Sequence, residues 1–281
     1  MTEVHDRDYM NGEVHDHDHV ADVPHGETEM WRGILLGTNP YLKRMRRWWH
    51  TVPSSPRCKV CAAPFKGIGS AITMVTGHRR SNANPLMCDP CFSSLRDHPG
   101  GAEIEISVLF ADIRGSTGLA ERVGPVRFRH LLHHFYAVAD RAIDRHGGVV
   151  DKFMGDGVMA LFVPFISGDN HAAQAIEAGQ RLVSKESHDP HLVEAGVRFG
   201  VGVHTGVAYV GTLGSGEKFD FSALGDTVNS AARLGSLAQA SELLVSWPAW
   251  QSSGLASENL DRRMLTLAGR SEPMDVVHWH S

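Results

Sequence analysis

A strand-length apolar run that ends in a carboxylate constrains this chain more than any other feature. Ile104 to Ile113 carries Ile106, Val108, Leu109, Phe110 and Ala111 in close succession and reads as a buried strand. Asp112 falls near its end, where an ionised carboxylate is costly unless it is paired or binds a metal. Downstream, Phe128, Leu131, Leu132, Phe135, Val138, Ala139, Ala142 and Ile143 recur at helical spacing, and Gly147-Gly148 stops that helix. Val149 to Met154 and Val158 to Val163 read as two strands joined across Gly155-Asp156-Gly157, a hairpin signal. A second amphipathic helix spans Ala172 to Val183. Strands at Val197 to Val203 and Val207 to Thr212 flank His204-Thr205-Gly206, and a third helix covers Thr227 to Leu237. Strands at Leu243 to Ser246, Met264 to Leu267 and Asp275 to Trp279 close the series. The order β, α, β, β, α, β with appended elements predicts an α+β sandwich of ferredoxin-like type.

This pattern starts only at Ala102, after His98-Pro99-Gly100-Gly101, which reads as a linker. Upstream, residues 1–29 are rich in Asp, Glu and His and poor in large apolar side chains, the composition of a disordered tail. Residues 30–52 interleave Trp31, Ile34, Leu35, Tyr41, Trp48 and Trp49 with Arg44, Arg46 and Arg47. They read as a helical or helix-turn-helix connector that packs on the rest of the chain, with a lipid- or partner-binding role as the alternative. Residues 53–98 form a small module that holds all four cysteines. The net charge of −5 argues against broad nucleic-acid binding. The acidic N-terminus is no secretory signal, and no run is long enough to cross a membrane, so a soluble cytoplasmic protein is expected.

Three groups of residues carry candidate chemistry. Asp112 is followed by Arg114-Gly115-Ser116-Thr117, small residues that open a helix whose free amides suit phosphate. Asp156 sits at the hairpin tip, where Asp-Gly is also an ordinary turn pair. If the two strands are neighbours, Asp112 and Asp156 converge as a hard-cation site. Asn229 and Arg233, spaced i, i+4, share a helix face that is either solvated or poised to bind ribose and phosphate. Cys58-Lys59-Val60-Cys61 and Cys88-Asp89-Pro90-Cys91 supply two thiolate pairs, which suit one tetrahedral Zn²⁺, with an iron–sulfur cluster as the rival.

Four motifs, in order and at matching spacing, make residues 102–281 resemble the class III adenylyl/guanylyl cyclase catalytic domain. They are Phe110-Ala111-Asp112-Ile113-Arg114-Gly115-Ser116-Thr117, Lys152-Phe153-Met154-Gly155-Asp156-Gly157, Val203-His204-Thr205-Gly206, and the run Leu224 to Arg233 with Gly225, Asp226, Asn229 and Arg233. The resemblance implies that Asp112, Asp156 and the Ile113 carbonyl hold two Mg²⁺ or Mn²⁺ ions. It implies that Lys152 reads adenine, with Ser222 where many adenylyl cyclases have an aspartate. Asn229 would orient the ribose and Arg233 would stabilise the transition state. Arg270 falls where the family usually has a phosphate-binding lysine. A head-to-tail homodimer is implied, one chain supplying the aspartates and the other Lys152, Asn229 and Arg233. The expected reaction is ATP to cyclic AMP and pyrophosphate. A guanylyl cyclase and a catalytically silent sensor or dimerisation module are the alternatives.

Overall fold

The computed structural model describes residues 25–54, 56–184, 189–215, 218–256, 260–269 and 272–280. Among the described residues four helices precede the first strand: α1 (His25–Leu35), α2 (Pro40–His50), α3 (Ile68–Val75) and α4 (Asp89–Asp97). Then follow β1 (Gly101–Ile113), α5 (Ser116–Val123), α6 (Pro125–Arg145), β2 (Val149–Met154), β3 (Gly157–Phe162), α7 (Pro164–Ser167) and α8 (His171–Val183). The remainder is α9 (Pro190–Glu194), β4 (Phe199–Ser215), β5 (Lys218–Leu224), α10 (Asp226–Leu237), β6 (Glu242–Ser246), α11 (Trp247–Ser253), β7 (Arg262–Leu265) and β8 (Met274–His280). The strands form one sheet in the order β2-β3-β1-β4-β6-β8-β7, with β5 paired to β4. The pairing is antiparallel except between β4 and β6. This is the α+β sandwich expected. Among the described residues no helix is long and apolar enough to cross a membrane.

The sheet is buried on both faces, which is why β1 reads as a nearly continuous apolar run rather than an alternating one. Leu109, Ala111 and Ile113 of β1 face a core with Phe135, Ala139 and Ile143 of α6 and Ile176 and Leu182 of α8. Ile104, Ile106 and Val108 face the other side, against Trp31 and Leu35 of α1 and Ala231 of α10. Phe135, Phe162 and Phe199 are fully buried, and each contributes about 1.5–3 kcal/mol by leaving water.

Glycines set how close α10 comes to this sheet. A Cβ on Gly202 would lie 2.1 Å from the Gly235 nitrogen, and one on Gly235 would lie 2.9 Å from Phe110 Cβ. Here the structure corrects the sequence reading. The two strands expected around His204-Thr205-Gly206 are the single strand β4, which pairs with β1 from Phe199 to Gly211. Gly206 makes no turn: a side chain there would meet Thr227 Oγ1 at 2.8 Å. His204 Nδ1 instead meets Ser246 Oγ at 2.7 Å inside the sheet.

The N-terminal segments dock on the sandwich. Helix α1 begins at His25, so residues 25–29, expected in a disordered tail, are helical; residues 1–24 lie outside the described residues. The supposed linker is a packed crossing. A Cβ on Gly100 would strike Trp31 Nε1 at 2.5 Å, and one on Gly101 the Val210 carbonyl at 2.4 Å. Trp49 of α2 is buried with the four cysteines. Arg46 of α2 donates to the carbonyls of Lys59 (2.8 Å) and Val60 (2.9 Å), while Lys59 pairs with Asp144 of α6.

Candidate active site

Asp112 and Asp156 reach one place because β1 and β3 are neighbours. Asp112 pairs with Gly157 in register, and the Ile113 amide donates to the Asp156 carbonyl at 3.0 Å. Gly155, at φ 63°, makes the tight turn that presents Asp156. Asp112 Oδ1 is buried without a hydrogen-bond partner, while Oδ2 pairs with Arg114 Nη2 at 2.7 Å. Burial raises the Asp112 carboxyl above its ordinary value; Arg114 opposes that and Asp156 adds to it. Two adjacent carboxylates with an unsatisfied oxygen are a donor set that fits a hard divalent cation. Gly115, in the left-handed region at φ 66°, precedes α5 and offers its first-turn amides no side-chain cap. The Ser116 hydroxyl donates to Asp156 Oδ2, and Thr117 stands exposed beside it.

A second cluster forms where a β-bulge shifts the β2–β3 register between Val150 and Lys152. Asp151 is the extra residue, and its side chain is 1% exposed against 43% for Lys152. Its Oδ2 accepts from Ser222 Oγ at 2.7 Å and lies 3.4 Å from Lys152 Nζ. Burial raises the Asp151 carboxyl, against the pull of Ser222 and Lys152. Lys152 and Ser222, expected to read a purine, therefore meet on a carboxylate that the sequence reading overlooked. An Asp inside a strand, a position that residue disfavours, was the available signal.

Asn229 is exposed on α10 and Arg233 is half-buried. The far end of α10 carries Arg114, whose Nη1 donates to Ser236 O (2.9 Å) and Ala238 O (3.2 Å). Asn229 lies about 14 Å along the helix from Ala238, taking 1.5 Å per residue. Within one chain the aspartates and Asn229 thus belong to opposite ends of α10. Arg233 Nη2 comes within 3.1 Å of the space a Cβ on Gly269 would take. Arg270 lies outside the described residues.

The four cysteines converge as a separate centre. Their sulfurs lie within 4.8 Å of one another, and Cys61 and Cys88 Sγ are 3.6 Å apart. A tetrahedral S₄ site with Zn–S bonds of about 2.3 Å needs sulfurs about 3.8 Å apart. The amides of Cys61 (3.5 Å) and Cys88 (3.3 Å) donate to Cys58 Sγ. Hydrogen bonds from the Cys61, Cys88 and Cys91 thiols hold Cys58 far below the ordinary thiol value, and those to Cys58 push Cys88 and Cys91 up. His78, absent from the sequence reading, stands beside the group, its Nδ1 3.4 Å from Cys88 Sγ.

The fold and these sites together define a nucleotidyl cyclase domain. The family of adenylate and guanylate cyclase catalytic domains matches residues 102–274, and the chain belongs to it. An adenylate cyclase of Anabaena cylindrica is 33% identical over 138 residues, 46% of this chain and 26% of that protein. An uncharacterised protein of Mycobacterium bovis is 31% identical over 191 residues, covering 65% of this chain and 32% of that one. The chain thus spans a quarter to a third of the length of these curated relatives. Among solved structures, the guanylyl cyclase Cya2 superposes with TM-score 0.59 at 26% identity, covering 64% of this chain and 93% of that one. The adenylyl cyclase CyaB from P. aeruginosa gives 0.55 at 25%, covering 64% and 95%.

Proposed function

We propose that this chain converts ATP to 3′,5′-cyclic AMP and pyrophosphate at sites shared between two copies. One observation carries the choice of ATP: an exposed donor-only residue, Lys152, seated on the buried acceptor Asp151, which also accepts the hydrogen bond of Ser222. Adenine offers an acceptor at N1 beside a donor at N6, whereas guanine reverses that order. An ammonium has no acceptor and complements N1, while the Ser222 lone pairs complement the N6 amino group. A guanine reader needs an acceptor where Lys152 stands.

Asp112 and Asp156, with the Ile113 carbonyl, would hold the divalent cations. When bound, these supply acidity to the ribose 3′-hydroxyl and charge stabilisation to the departing pyrophosphate. The protein's own part is positioning. The amides at Gly115, Ser116 and Thr117 cradle phosphate, Asn229 orients the ribose, and Arg233 meets the charge that develops at the α-phosphorus. Arg270 is assigned the distal phosphates by the family resemblance of its sequence position. The separation of Asn229 from the aspartates supports a site completed by a second copy. So do Phe153 and Met154 on β2, Leu224 on β5 and Val207 on the neighbouring β4, all large apolar side chains that stand exposed. The cysteines would hold one Zn²⁺ that fixes the N-terminal module on α6.

The test is a mixed assay of the purified chain with equal ATP and GTP and either Mg²⁺ or Mn²⁺, products separated by chromatography. Predominant cyclic AMP is expected. Predominant cyclic GMP would establish the guanylyl alternative, in keeping with the likeness to Cya2, and absence of both would leave a silent module.

A further inference from the structure

At the opposite side of the sheet, β6 and β8 bring together three ligand-type side chains that the cyclase reaction does not use. Glu242 pairs in register with His280, and His278 lies on the same face of β8 as His280. The Glu242 side chain is 0% exposed, on a strand paired on both sides, with two imidazoles of β8 converging on it. His278 Nδ1 stands 3.8 Å from Glu242 Oε1 and His280 Nε2 stands 3.6 Å from the same oxygen. His278 Nε2 meets Asp261 Oδ2 at 2.6 Å, a contact that in the neutral ring places the proton on Nε2 and leaves Nδ1 as a ligand atom. That Nδ1 is buried and has no hydrogen-bond partner.

Arg263 meets Glu242 Oε1 from one side, and the two imidazole nitrogens, too far from that oxygen for hydrogen bonds, converge on it from the other. Three protein ligands of the type Glu, His, His have the donor set of a zinc site with one position open to solvent. Zn–N and Zn–O bonds of about 2.0–2.1 Å place neighbouring ligand atoms about 3.4 Å apart in a tetrahedron. The two observed separations exceed this by only a few tenths of an ångström. Asp261 behind His278 is the carboxylate that commonly orients a metal-bound imidazole. Arg263 Nη2, 2.5 Å from Glu242 Oε1, can keep its contact through another lone pair and offset part of the charge.

We propose that Glu242, His278 and His280 bind a transition-metal cation of the zinc class, independently of the cysteine centre and the catalytic carboxylates. The site would also stiffen the turn from Ala238 to Glu242, because Glu242 Oε2 accepts from the Gln239 amide at 2.6 Å and Ala238 O receives Arg114.

Calorimetric titration of Zn²⁺ into the full chain, its cysteines already loaded and Mg²⁺ in excess, tests this. One further saturable equivalent is expected. His278→Gln and His280→Gln should each weaken it at least about tenfold, and Asp261→Asn about tenfold, as for a lost orienting partner. Arg263→Gln should retain it. His280 is half-exposed, so His280→Gln decides the matter even if His278→Gln unfolds. No further equivalent in the wild type, or equal affinity in the wild type and His280→Gln, would overturn the assignment. Cyclase activity does not enter this readout, so failure here leaves the catalytic reading standing.

Discussion

The Ser222 hydroxyl donates a 2.7 Å hydrogen bond to Asp151 Oδ2, the same oxygen that faces Lys152 Nζ at 3.4 Å. Asp151 therefore fixes both the direction of the serine proton and the position of the lysine, although its own side chain is buried. A carboxamide in its place holds the lysine less firmly and frees the serine to rotate. Asp151→Asn should lower kcat/KM for ATP about tenfold, with little change for GTP, so the ATP preference contracts by that factor. Ser222→Ala should do the same more weakly. Competition assays measure both, and an unchanged ratio in Asp151→Asn would show that the cluster is structural.

Asp112 links pH, metal and stability. Burial leads the upward shift of its carboxyl, so the folded chain keeps the proton to a higher pH than the unfolded chain does. Its contribution to stability is therefore most favourable below the unfolded value of about 3.9 and declines as pH rises through the raised folded value. Asn mimics the protonated side chain at every pH. In metal-free protein the Tm of Asp112→Asn minus that of the wild type should be near zero in acid and should grow towards neutrality. Added Mn²⁺ should raise the Tm of the wild type and not that of the variant. A difference flat across pH would refute this account.

Much of this arrangement is legible in the sequence, and what is not shares a physical cause. The β1 run, the hairpin at Asp156 and the face of α10 with Asn229 and Arg233 are local patterns, set by periodicity and turn chemistry. The start of helix α1 is hidden in the sequence because Glu27 and Glu29, ordinary marks of a solvated tail, sit in its first turns, where negative charge is favourable. The role of Asp151 is not legible in the sequence because a bulge is a property of two paired strands. Gly206 reads as an interruption between two strands and Gly202 as an ordinary strand residue, whereas both admit a helix, which only tertiary packing shows. Strand β5 carries Lys218 and Asp220 among Phe219, Phe221 and Leu224 and gains its identity from pairing with β4. Arg114 stands in sequence at the head of a run of small residues, yet it bridges Asp112 and the end of α10.

Close approach of α10 to the sheet yields a stability prediction. Gly202 faces backbone, the Gly235 nitrogen at 2.1 Å and the Leu234 carbonyl carbon at 2.6 Å, so no side chain can rotate away. Gly202→Ala should destabilise the chain by about 3 kcal/mol, the upper end for overpacking. Gly118, with nothing near its Cβ position, is the control, and Gly118→Ala should be neutral or mildly stabilising. Denaturant unfolding of the two variants makes the comparison, and equal midpoints would contradict the packing argument.

The cysteine centre should hold one metal per chain. Elemental analysis of the purified protein is expected to return about one zinc, in addition to any at Glu242, and a chelator should unfold the module with it. Cys88→Ser should lose that equivalent, and Trp49, buried against the cysteines, should report the loss by fluorescence. A visible absorption band with iron would move the assignment to a cluster, and full thiol titration with no metal would remove it.

The shared site makes the sharpest test, because it asks which chain supplies which residue. Asp156→Ala and Arg233→Ala chains should each be inactive alone, losing at least about a hundredfold in kcat. If one copy gives the aspartates and the other gives Asn229 and Arg233, a mixed dimer has one doubly damaged site and one intact site. Random exchange of equal amounts makes about half the dimers mixed, so roughly a quarter of wild-type activity should return when the sites act independently. A site built within one chain gives no rescue, since every site then carries one lesion. Demonstrated subunit exchange without rescue would therefore place Arg233 beside the aspartates of its own chain, despite the length of α10 that lies between Asn229 and Ala238, and would leave the cyclase chemistry itself untouched.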